Sequence, residues 1–413
     1  MARRLKPKNL LFTERGEEWL KQFSPADQDA AALLVSNLTL ISHSVFERGL
    51  QEKLEEQTSI GTTPFALFAV REVAVQESYF TQSTNSTSGQ LNALSQGVDQ
   101  GSEARIVTMI RNFCKSDPNN LLNHPDIEMM RSSKCRTVML VDDFIGSGNR
   151  VLEFIKAFLQ DPSYASWHST KYVNIVVVAY AGTDRGIRAV KRHKTQPDVS
   201  FVRRSPSFFD AIWSKKKRDS IIHVCEHYGV KTSKKHMSLG YSRTMGAMVF
   251  EHGCPNNAPA ILWAPKTKQK TWTSLFPNRS ILSNEKSIFP AEVFGRGLQG
   301  SLFDVGQRTL ATLILSPVTG NINENTLLVL AFIAKGQRKL STLSFATGLD
   351  EQRCEKIVDR CIQLGLITKT KRLSSKGKAE LDALRRKTRS NLGIPEIGEE
   401  YYHPSQLRRA ARG

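Results

Sequence analysis

Apolar and polar residues alternate with two different periods along the first 280 positions of the chain. Short apolar runs bounded by charged or turn residues predict the buried strands of a parallel sheet. These runs cover 64–70, 137–141 and 172–180, while 199–202 predicts an edge strand and 245–251 a further strand. Other segments repeat apolar residues every three or four positions, which predicts helices over 25–41, with Ser24 as the cap, 44–56 and 151–159. This order of strand and helix predicts an α/β domain with right-handed crossovers.

A different pattern begins near residue 321 and consists of three helical segments followed by a hairpin. Apolar residues at helical spacing mark 327–333 and 340–346, and Asp350 is placed to cap a third helix. The segment 366–373 predicts the hairpin, and a last helix follows it. We therefore divide the chain into five parts: a basic lead-in (1–23), an α/β domain (24–280), a linker (281–320), a helical domain (321–390) and a tail (391–413).

The most informative stretch surrounds the predicted strand 137–141. Asp142 and Asp143 follow this strand directly, and a loop of small residues over 146–149 leads into the next helix. A helix N-terminus offers unpaired N–H groups and a partial positive charge, and glycine allows an anion to approach the backbone closely. Carboxylates placed here suit the hydroxyls of a sugar or a hydrated Mg²⁺. The stretch predicts a site for a phosphorylated sugar, and the alternative is an ordinary corner with solvent-facing carboxylates.

This stretch, Val138 to Val141 followed by Asp142-Asp143-Phe144-Ile145 and the loop to Arg150, resembles the phosphoribosyl diphosphate signature of type I phosphoribosyltransferases. The resemblance implies a phosphoribosyltransferase-like (Rossmann-like) domain. It implies that Asp142 and Asp143 are catalytic and contact the ribose hydroxyls, directly or through Mg²⁺. It implies a phosphate cradle formed by Gly146, Ser147, Gly148, Asn149 and Arg150.

The loop departs from that family at both ends. Several base-salvage members carry Asp at the first loop position, where this chain has Gly146. The last position is usually Thr or a small residue, and here it is Arg150. These departures favour a site that accepts a phosphorylated ribose over one that performs an ordinary salvage reaction.

Three further segments are weaker candidates for the site. Arg71 follows the strand 64–70, and the resemblance implies a contact with pyrophosphate, although charged residues after a strand are common. The polar segment 82–101 predicts a mobile loop that is either a lid or a surface insertion. Asn256 and Asn257 lie between prolines in a rigid polar turn that either recognises a base edge or is structural.

Composition and charge indicate which kinds of molecule the protein binds. The chain has 58 Lys and Arg against 39 Asp and Glu, and the net charge of +19 favours nucleic acid or nucleotides, unless the protein merely tolerates its charge. Six cysteines without a CxxC pair are expected to stay reduced. No apolar run approaches the length of about 18 residues typical of a membrane span, and no signal-like apolar segment follows the basic start. We expect a cytoplasmic protein that does not contact membranes.

The helical domain resembles a winged helix-turn-helix domain, through the Leu-Gly-Leu-Ile sequence over 364–367 and the Leu-Ser-x-Lys-Gly sequence over 373–377. The resemblance implies that the third helix and the wing contact nucleic acid. The residues implied are Arg353, Lys356, Arg360, Lys369, Lys371 and Arg372. Glu351, Glu355 and Asp359 form an acidic stripe on the same helix that would repel phosphate, so docking on a protein stays open.

Residues 20–280 together resemble phosphoribosyltransferase-like domains of bacterial conflict and anti-phage systems, some encoded beside retron reverse transcriptases. The shared pieces are the acidic signature, the Pro-Asn-Asn turn, the Ile-Leu-Trp over 261–263 and the Leu-Phe-Pro-x-Arg over 275–279. The resemblance implies an effector that acts on phosphoribosyl diphosphate or a nucleotide at a glycosidic bond. The winged helix would hold it on a DNA- or RNA-containing partner, such as a reverse transcriptase–nucleic acid complex.

Two other functions remain open on the sequence alone. A transcriptional regulator that senses phosphoribosyl diphosphate without catalysis is the main alternative, and the missing loop Asp at Gly146 is compatible with it. A salvage enzyme is the third. The sequence does not identify the base, the trigger or the oligomeric state, and a homo-oligomer remains open.

Overall fold

The computed structural model describes residues 10–73, 79–80, 100–290 and 324–391. The elements named below are numbered over these residues. Contacts divide the chain into two compact units, Met1–Arg296 with Lys339–Glu355, and Gly297–Arg338 with Lys356–Gly413.

A five-stranded parallel sheet forms the centre of the first unit, in the spatial order β3-β2-β4-β5-β6. Its strands are β2 (Phe65–Ala69), β3 (Leu121–Asn123), β4 (Thr137–Ile145), β5 (Asn174–Gly182) and β6 (Asp198–Arg204). Every residue of β2 is buried, and so is every residue of β4 except Phe144. Continuous apolar runs are typical of strands covered on both faces, which is why the sequence showed runs here rather than alternation.

Helices cover both faces of this sheet. On one face lie α6 (Asn149–Phe158) and α7 (Pro162–Ser169), which contribute the buried Phe154, Phe158 and Tyr164. On the other face lie α3 (His43–Ile60) and α4 (Gln100–Cys114), which contribute Phe46 and Ile110. The remaining helices of this part are α5 (Ile127–Ser132) and α8 (Asp184–Lys191). The predicted α/β class with a parallel sheet is confirmed.

The direction of the crossovers reverses between β2 and β4. From β2 the chain crosses through α4 to β3 on one side, and it then returns past β2 to β4, β5 and β6 on the other side. The crevice at the carboxyl ends of the two strands beside such a reversal is the usual ligand site of an open parallel sheet. Arg71 follows β2 and the acidic pair lies near the carboxyl end of β4, so both lie at this crevice.

A second layer packs beyond the main sheet. It contains α1 (Glu14–Lys21), α2 (Pro25–Val35), α9 (Lys215–Gly229), α10 (Ala260–Trp263) and the two-stranded parallel pair of β1 (Thr39–Ile41) with β7 (Met248–Phe250). Trp19 is buried here, and its Nε1 donates to the carbonyl of Ile261 at 3.0 Å. Residues 10–23, which the sequence placed in a basic lead-in, therefore contribute α1 to a folded core.

The prediction of one helix over 25–41 was right at its start and wrong at its end. α2 stops at Val35, and Thr39–Ile41 form β1, which pairs with Met248–Phe250. Local spacing could not reveal this change, because the strand that pairs with β1 is far away in the sequence. The segment 82–101, where we expected a mobile loop, lies outside the described residues up to position 99, and α4 begins at Gln100.

The second unit contains α11 (Glu324–Ala334), most of α13 (Glu351–Gln363) and α14 (Ser375–Asn391). Ile367 and Leu373 form an antiparallel bridge at the predicted hairpin. The helix α12 (Leu340–Thr347) and the start of α13 group with the first unit, and Asp350 caps α13 as expected, because its Oδ1 accepts from Arg353 N at 2.8 Å.

Two general features concern the whole described chain. All six cysteines are free and buried. Across the described ranges, no helix combines the length and the apolar character needed to cross a bilayer.

Candidate functional site

Two adjacent carboxylates lie in the last half of the central strand β4, which continues to Ile145 and is four residues longer than the sequence predicted. Asp142 still pairs with Ala179 of β5, and its side chain is 2% exposed, whereas that of Asp143 is 12% exposed. Buried carboxylates need partners, since an isolated charge in a protein interior is costly. The partners of this acidic pair define the site.

Arg150, the last residue of the glycine loop, bridges the two carboxylates. Its Nη2 donates to Oδ1 of Asp142 and, at 2.9 Å, to Oδ1 of Asp143. Asp142 Oδ1 also accepts from the backbone N–H of Asp143 at 2.9 Å. The other oxygen of Asp142, Oδ2, is buried without a hydrogen-bond partner among the described residues. One acceptor of the acidic pair therefore remains open to a ligand.

His252 provides a contact that the sequence did not reveal. It lies two residues beyond β7, and its Nε2 is 3.3 Å from Oδ2 of Asp143. The imidazole stacks on Phe250 of β7 at 4.8 Å and meets the edge of Phe46 of α3 at 5.0 Å, so its ring is held between these two elements. The spacing of residues along the sequence gives no signal of the proximity of His252 to Asp143.

The electrostatics of the two carboxyls differ. Burial raises the pKa of Asp142 above its usual value, against the charge of Arg150 and with the support of the neighbouring Asp143. Burial acts in the same direction on Asp143, but the hydrogen bond from His252 and the charge of Arg150 outweigh it and lower the pKa of that group. The pKa of Asp142 is therefore raised while that of Asp143 is lowered, so the negative charge of the pair lies mainly on Asp143. Asp142 is the carboxyl that binds a proton more readily.

The loop from Gly146 to Arg150 leads into α6 and is held from the side by the start of α8. Thr183 donates its hydroxyl to the carbonyl of Gly146 at 2.6 Å and accepts from the N–H of Gly186 at 3.0 Å. Gly148 caps α6 with φ +87°, a backbone conformation that favours glycine. A Cβ on Gly186 would lie 2.3 Å from the carbonyl oxygen of Gly146. The segment predicted to cradle phosphate is thus a loop at a helix N-terminus, and Thr183 supports it.

Arg71 lies at the same crevice, at the end of β2. Its guanidinium is 5.0 Å from the ring centroid of Tyr79, and its charge acts on Glu103 together with that of Arg150. Burial raises the pKa of Glu103, and these two arginines oppose that rise. The structure therefore brings Arg71 and Arg150 to one half-buried carboxylate beside the acidic pair. Contact of Arg71 with pyrophosphate stays a prediction.

His124 fixes the end of β2. Its Nε2 accepts from the backbone N–H of Ala69 at 3.0 Å, while Nδ1 lies 2.7 Å from Oδ1 of Asn123. This arrangement requires a neutral ring with its proton on Nδ1. Burial, followed by the charge of Arg71, lowers the pKa of His124 to about 4, which keeps the ring neutral at physiological pH.

The turn at Asn256 and Asn257 has a structural environment. Asn257 is buried, its carbonyl accepts from Gly246 N at 2.8 Å, and its side-chain Nδ2 lies 3.4 Å from Ser205 Oγ. A Cβ on Gly246 would overlap the Asn257 amide at 2.3 Å. Asn257 therefore connects the segment after β6, through Ser205, to the segment before β7, through Gly246. Recognition of a base by Asn256 or Asn257 stays a prediction. The side chain of Asn256 is partly exposed, and Oδ1 of Asn257 is buried without a hydrogen-bond partner among the described residues.

The Mg²⁺ implied by the resemblance does not fit the acidic pair in this arrangement. Mg²⁺ requires oxygen ligands at about 2.0–2.1 Å in near-octahedral geometry. Arg150 and His252 already engage three of the four carboxylate oxygens, and the guanidinium lies between the two carboxylates. Within the described ranges, no group of three or more His, Cys, Asp or Glu side chains is arranged to hold a metal ion.

A groove between α3 and α4 is separate from this site. It is lined by residues such as Gln51, Asn112 and Phe65. Phe65 begins β2, whereas the acidic pair lies near the carboxyl end of β4, and the two strands run parallel. The groove therefore opens near the amino ends of the strands, whereas the carboxylates lie near their carboxyl ends.

The residues proposed for nucleic-acid contact are surface residues. Arg353, Lys356 and Arg360 are exposed on α13, and so are Lys369 and Arg372 beside the hairpin, while Lys371 is partly exposed. On α13, Glu351 pairs with Arg204 at 2.9 Å, whereas Glu355 and Asp359 remain exposed. The acidic stripe predicted on this helix is therefore present, with its first member engaged in an ion pair.

Comparison with known proteins agrees with this architecture. The family model described as PRTase-CE matches residues 17–278, and the one described as wHTH-PRTase associated matches residues 327–409. No curated protein and no solved structure matches the chain. The first match covers more than half of the chain and includes the acidic pair, the glycine loop, Arg71 and His252. The chain therefore belongs to the PRTase-CE family and carries the associated winged helix-turn-helix domain at its C-terminal end.

Proposed function

We propose that this protein is a phosphoribosyltransferase-like effector that binds a ribose 5-phosphate group and makes or breaks the glycosidic bond at its C1′ atom. The observation that carries this proposal is the unpartnered Oδ2 of Asp142. This buried acceptor lies at the switch point of the sheet, beside a glycine loop at a helix N-terminus. A sugar hydroxyl suits the carboxylate oxygen, and a phosphate suits the loop amides.

Each part of the site has its own role in this proposal. Asp142 accepts a hydrogen bond from a ribose hydroxyl. Arg150 and His252 hold Asp143, so that the acidic pair keeps one orientation. Gly146 to Arg150 bind the 5-phosphate, and Arg71 meets pyrophosphate. In the cleavage direction, the bond between C1′ and the base breaks and the base leaves with the bonding electrons and gains a proton. An oxygen of pyrophosphate or of water then bonds to C1′.

The substrate class we propose is a nucleotide or phosphoribosyl diphosphate, and the setting is a bacterial anti-phage system of the retron type. The support for this setting is the sequence resemblance over 20–280 together with the winged helix. We propose that the winged helix holds the effector on a DNA- or RNA-containing partner, through Arg353, Lys356 and Arg360 on α13 and the basic wing.

Metabolite profiling tests the proposal. Cells expressing the protein are compared with cells expressing the Asp142→Asn, Asp143→Asn double variant, with the folded state of the variant checked by circular dichroism and thermal unfolding. We expect one nucleotide or phosphoribosyl diphosphate pool to fall only with the unchanged protein. Equal depletion by a folded double variant would remove the acidic pair from the reaction.

A regulator that senses phosphoribosyl diphosphate without catalysis is the second candidate. The observation that favours it is Arg150, which neutralises the acidic pair at a position where the related transferases have a small residue. Two results together would support this function. The protein would bind phosphoribosyl diphosphate without changing any nucleotide pool, and this binding would change its affinity for nucleic acid.

A further inference from the structure

We propose that Arg150 takes the place of a divalent cation at this site, so that the protein binds a phosphorylated ribose without Mg²⁺. The inference rests on the proposed function for its ligand class, and it assigns a positioning role to a residue of this chain.

The position of the guanidinium is the first argument. Nη2 of Arg150 donates to Oδ1 of both Asp142 and Asp143, so it lies where a cation bridging the two carboxylates would lie. His252 engages Oδ2 of Asp143 at 3.3 Å. Only Oδ2 of Asp142 is then left, so the protein offers a divalent cation a single carboxylate oxygen and no bridging pair of carboxylates.

Charge is the second argument. A guanidinium stays protonated in proteins, and two cations a few ångströms apart in a poorly solvated crevice repel strongly. The carboxylates that would attract a divalent ion are instead neutralised in part by a permanent charge. Arg150 is well suited to stay there, because one of its nitrogens contacts both carboxylates and the Asp142 side chain is only 2% exposed.

The geometry also leaves the site able to bind a ligand. Nη2 makes both carboxylate contacts, and the remaining N–H groups of a guanidinium fork suit the oxygens of a phosphate or a ribose. Arg71 supplies a second positive charge at the same crevice, because it follows the carboxyl end of β2, which pairs with β4. Two arginines can therefore balance an anionic ligand in the way that an arginine and a metal ion would.

Titration with Mn²⁺, followed by electron paramagnetic resonance, tests the inference without any ligand or activity. The proteins are the unchanged chain, Arg150→Gln, Arg150→Lys, the Asp142→Asn, Asp143→Asn variant, and Arg150→Gln combined with that double change. We expect Arg150→Gln to bind Mn²⁺ at least about tenfold more tightly than the unchanged chain, because a unit charge a few ångströms away has been removed. Arg150→Lys keeps a charge and should resemble the unchanged chain.

The gain must depend on the acidic pair. It should disappear when Arg150→Gln is combined with the two Asn changes, which separates this site from other surface carboxylates. Tight Mn²⁺ binding by the unchanged chain that is lost in the Asp142→Asn, Asp143→Asn variant would overturn the inference. So would equal Mn²⁺ affinity in the unchanged chain and a folded Arg150→Gln variant.

Calorimetry with ribose 5-phosphate supplies an independent readout. This ligand lacks the pyrophosphate that itself binds Mg²⁺, so any metal effect must come from the protein. We expect equal affinity, within about a factor of two, in Mg²⁺ and in EDTA. An increase of tenfold or more in Mg²⁺ contradicts the inference. Absence of binding in both conditions contradicts the proposed function instead, while the Mn²⁺ titration still decides the role of Arg150.

Discussion

His252 and Asp143 are separated by 109 positions in the sequence, yet Nε2 of the histidine lies 3.3 Å from Oδ2 of the carboxylate. The contact joins the end of the central strand β4 to the segment after β7, which belongs to the layer beyond the main sheet. Since Arg150 holds the other oxygen of Asp143, both oxygens of this side chain have a defined partner. The orientation of the acidic pair therefore depends on two distant parts of the chain.

Replacement of His252 by Leu should weaken the site without unfolding the protein, because leucine fills similar space but donates no hydrogen bond to Asp143. Loss of a partner for a buried carboxylate costs about 1–3 kcal/mol, so we expect the affinity for ribose 5-phosphate to fall about tenfold or more. Calorimetry measures this change. The control is His223→Leu, at an exposed histidine on α9. Equal affinities of the His252→Leu variant and the unchanged chain would show that Arg150 alone orients Asp143.

Three glycines, Gly146 and Gly148 in the loop and Gly186 in α8 beside it, should differ sharply in their tolerance of substitution by alanine. A Cβ on Gly186 would lie 2.3 Å from the carbonyl oxygen of Gly146, and Gly148 has φ +87°. A Cβ on Gly146 would meet only the side chain of Phe144, at 3.6 Å. We expect Gly186→Ala and Gly148→Ala to lower the free energy of unfolding by about 1–3 kcal/mol and to abolish binding of ribose 5-phosphate. Gly146→Ala is the matched control.

Thermal unfolding and ligand titration of the three alanine variants decide this prediction. Gly146→Ala should keep the melting temperature of the unchanged chain to within a few degrees. If all three variants bind ribose 5-phosphate normally, the loop does not form the phosphate cradle.

The protein should lose stability in mild acid through His124. The pKa of this buried histidine falls from 6.5 in the unfolded chain to about 4 in the folded protein. The unfolded state therefore binds the proton first, so stability is present above pH 6.5 and is lost as the pH falls towards 4. At about 1.4 kcal/mol per pKa unit, the loss is at most about 3 kcal/mol.

Denaturant unfolding at several pH values between 8 and 4 measures the contribution of His124. His124→Gln removes the titrating group and retains an amide oxygen that can accept from the N–H of Ala69. We expect its stability to depend less on pH over this window, while other groups contribute equally to both proteins. Parallel pH profiles would exclude His124 as the group responsible.

Reversal of charge on the wing should weaken nucleic-acid binding more than the same change elsewhere. The variant carries Lys369→Glu, Lys371→Glu and Arg372→Glu, and the control carries Lys215→Glu, Lys216→Glu and Lys217→Glu at the start of α9. Both lower the net charge equally. Because each phosphate contact contributes about 0.9 to the slope of log affinity against log salt, we expect the wing variant to reduce the slope by about 3.

Fluorescence anisotropy with labelled DNA and RNA duplexes, over a range of salt concentrations, provides the slopes. The α9 control should leave the slope close to that of the unchanged chain. Equal losses in both variants would indicate that total charge, rather than the wing, governs binding.

The sequence alone determined the parts of this protein that depend on local pattern. The runs at 64–70 and 137–141 became β2 and β4, because a strand buried on both faces must be apolar throughout. The order of strand, acidic pair, glycine loop and helix placed Asp142, Asp143 and Gly148 correctly, since all of them lie within one short segment. The winged helix was recognised for the same reason, from its three helical segments, its hairpin and the short sequences over 364–367 and 373–377.

Only the tertiary structure decided what surrounds the acidic pair. His252 reaches Asp143 because β7 pairs with β1 in the second layer, and His124 reaches Ala69 because β3 lies beside β2. These contacts depend on pairings between strands that are far apart in the sequence. The spacing of hydrophobic residues along the chain does not reveal which strands pair. The sequence also identified Arg150 as a departure from its relatives, but only the fold shows its guanidinium between the two carboxylates, at the position that a cation would take.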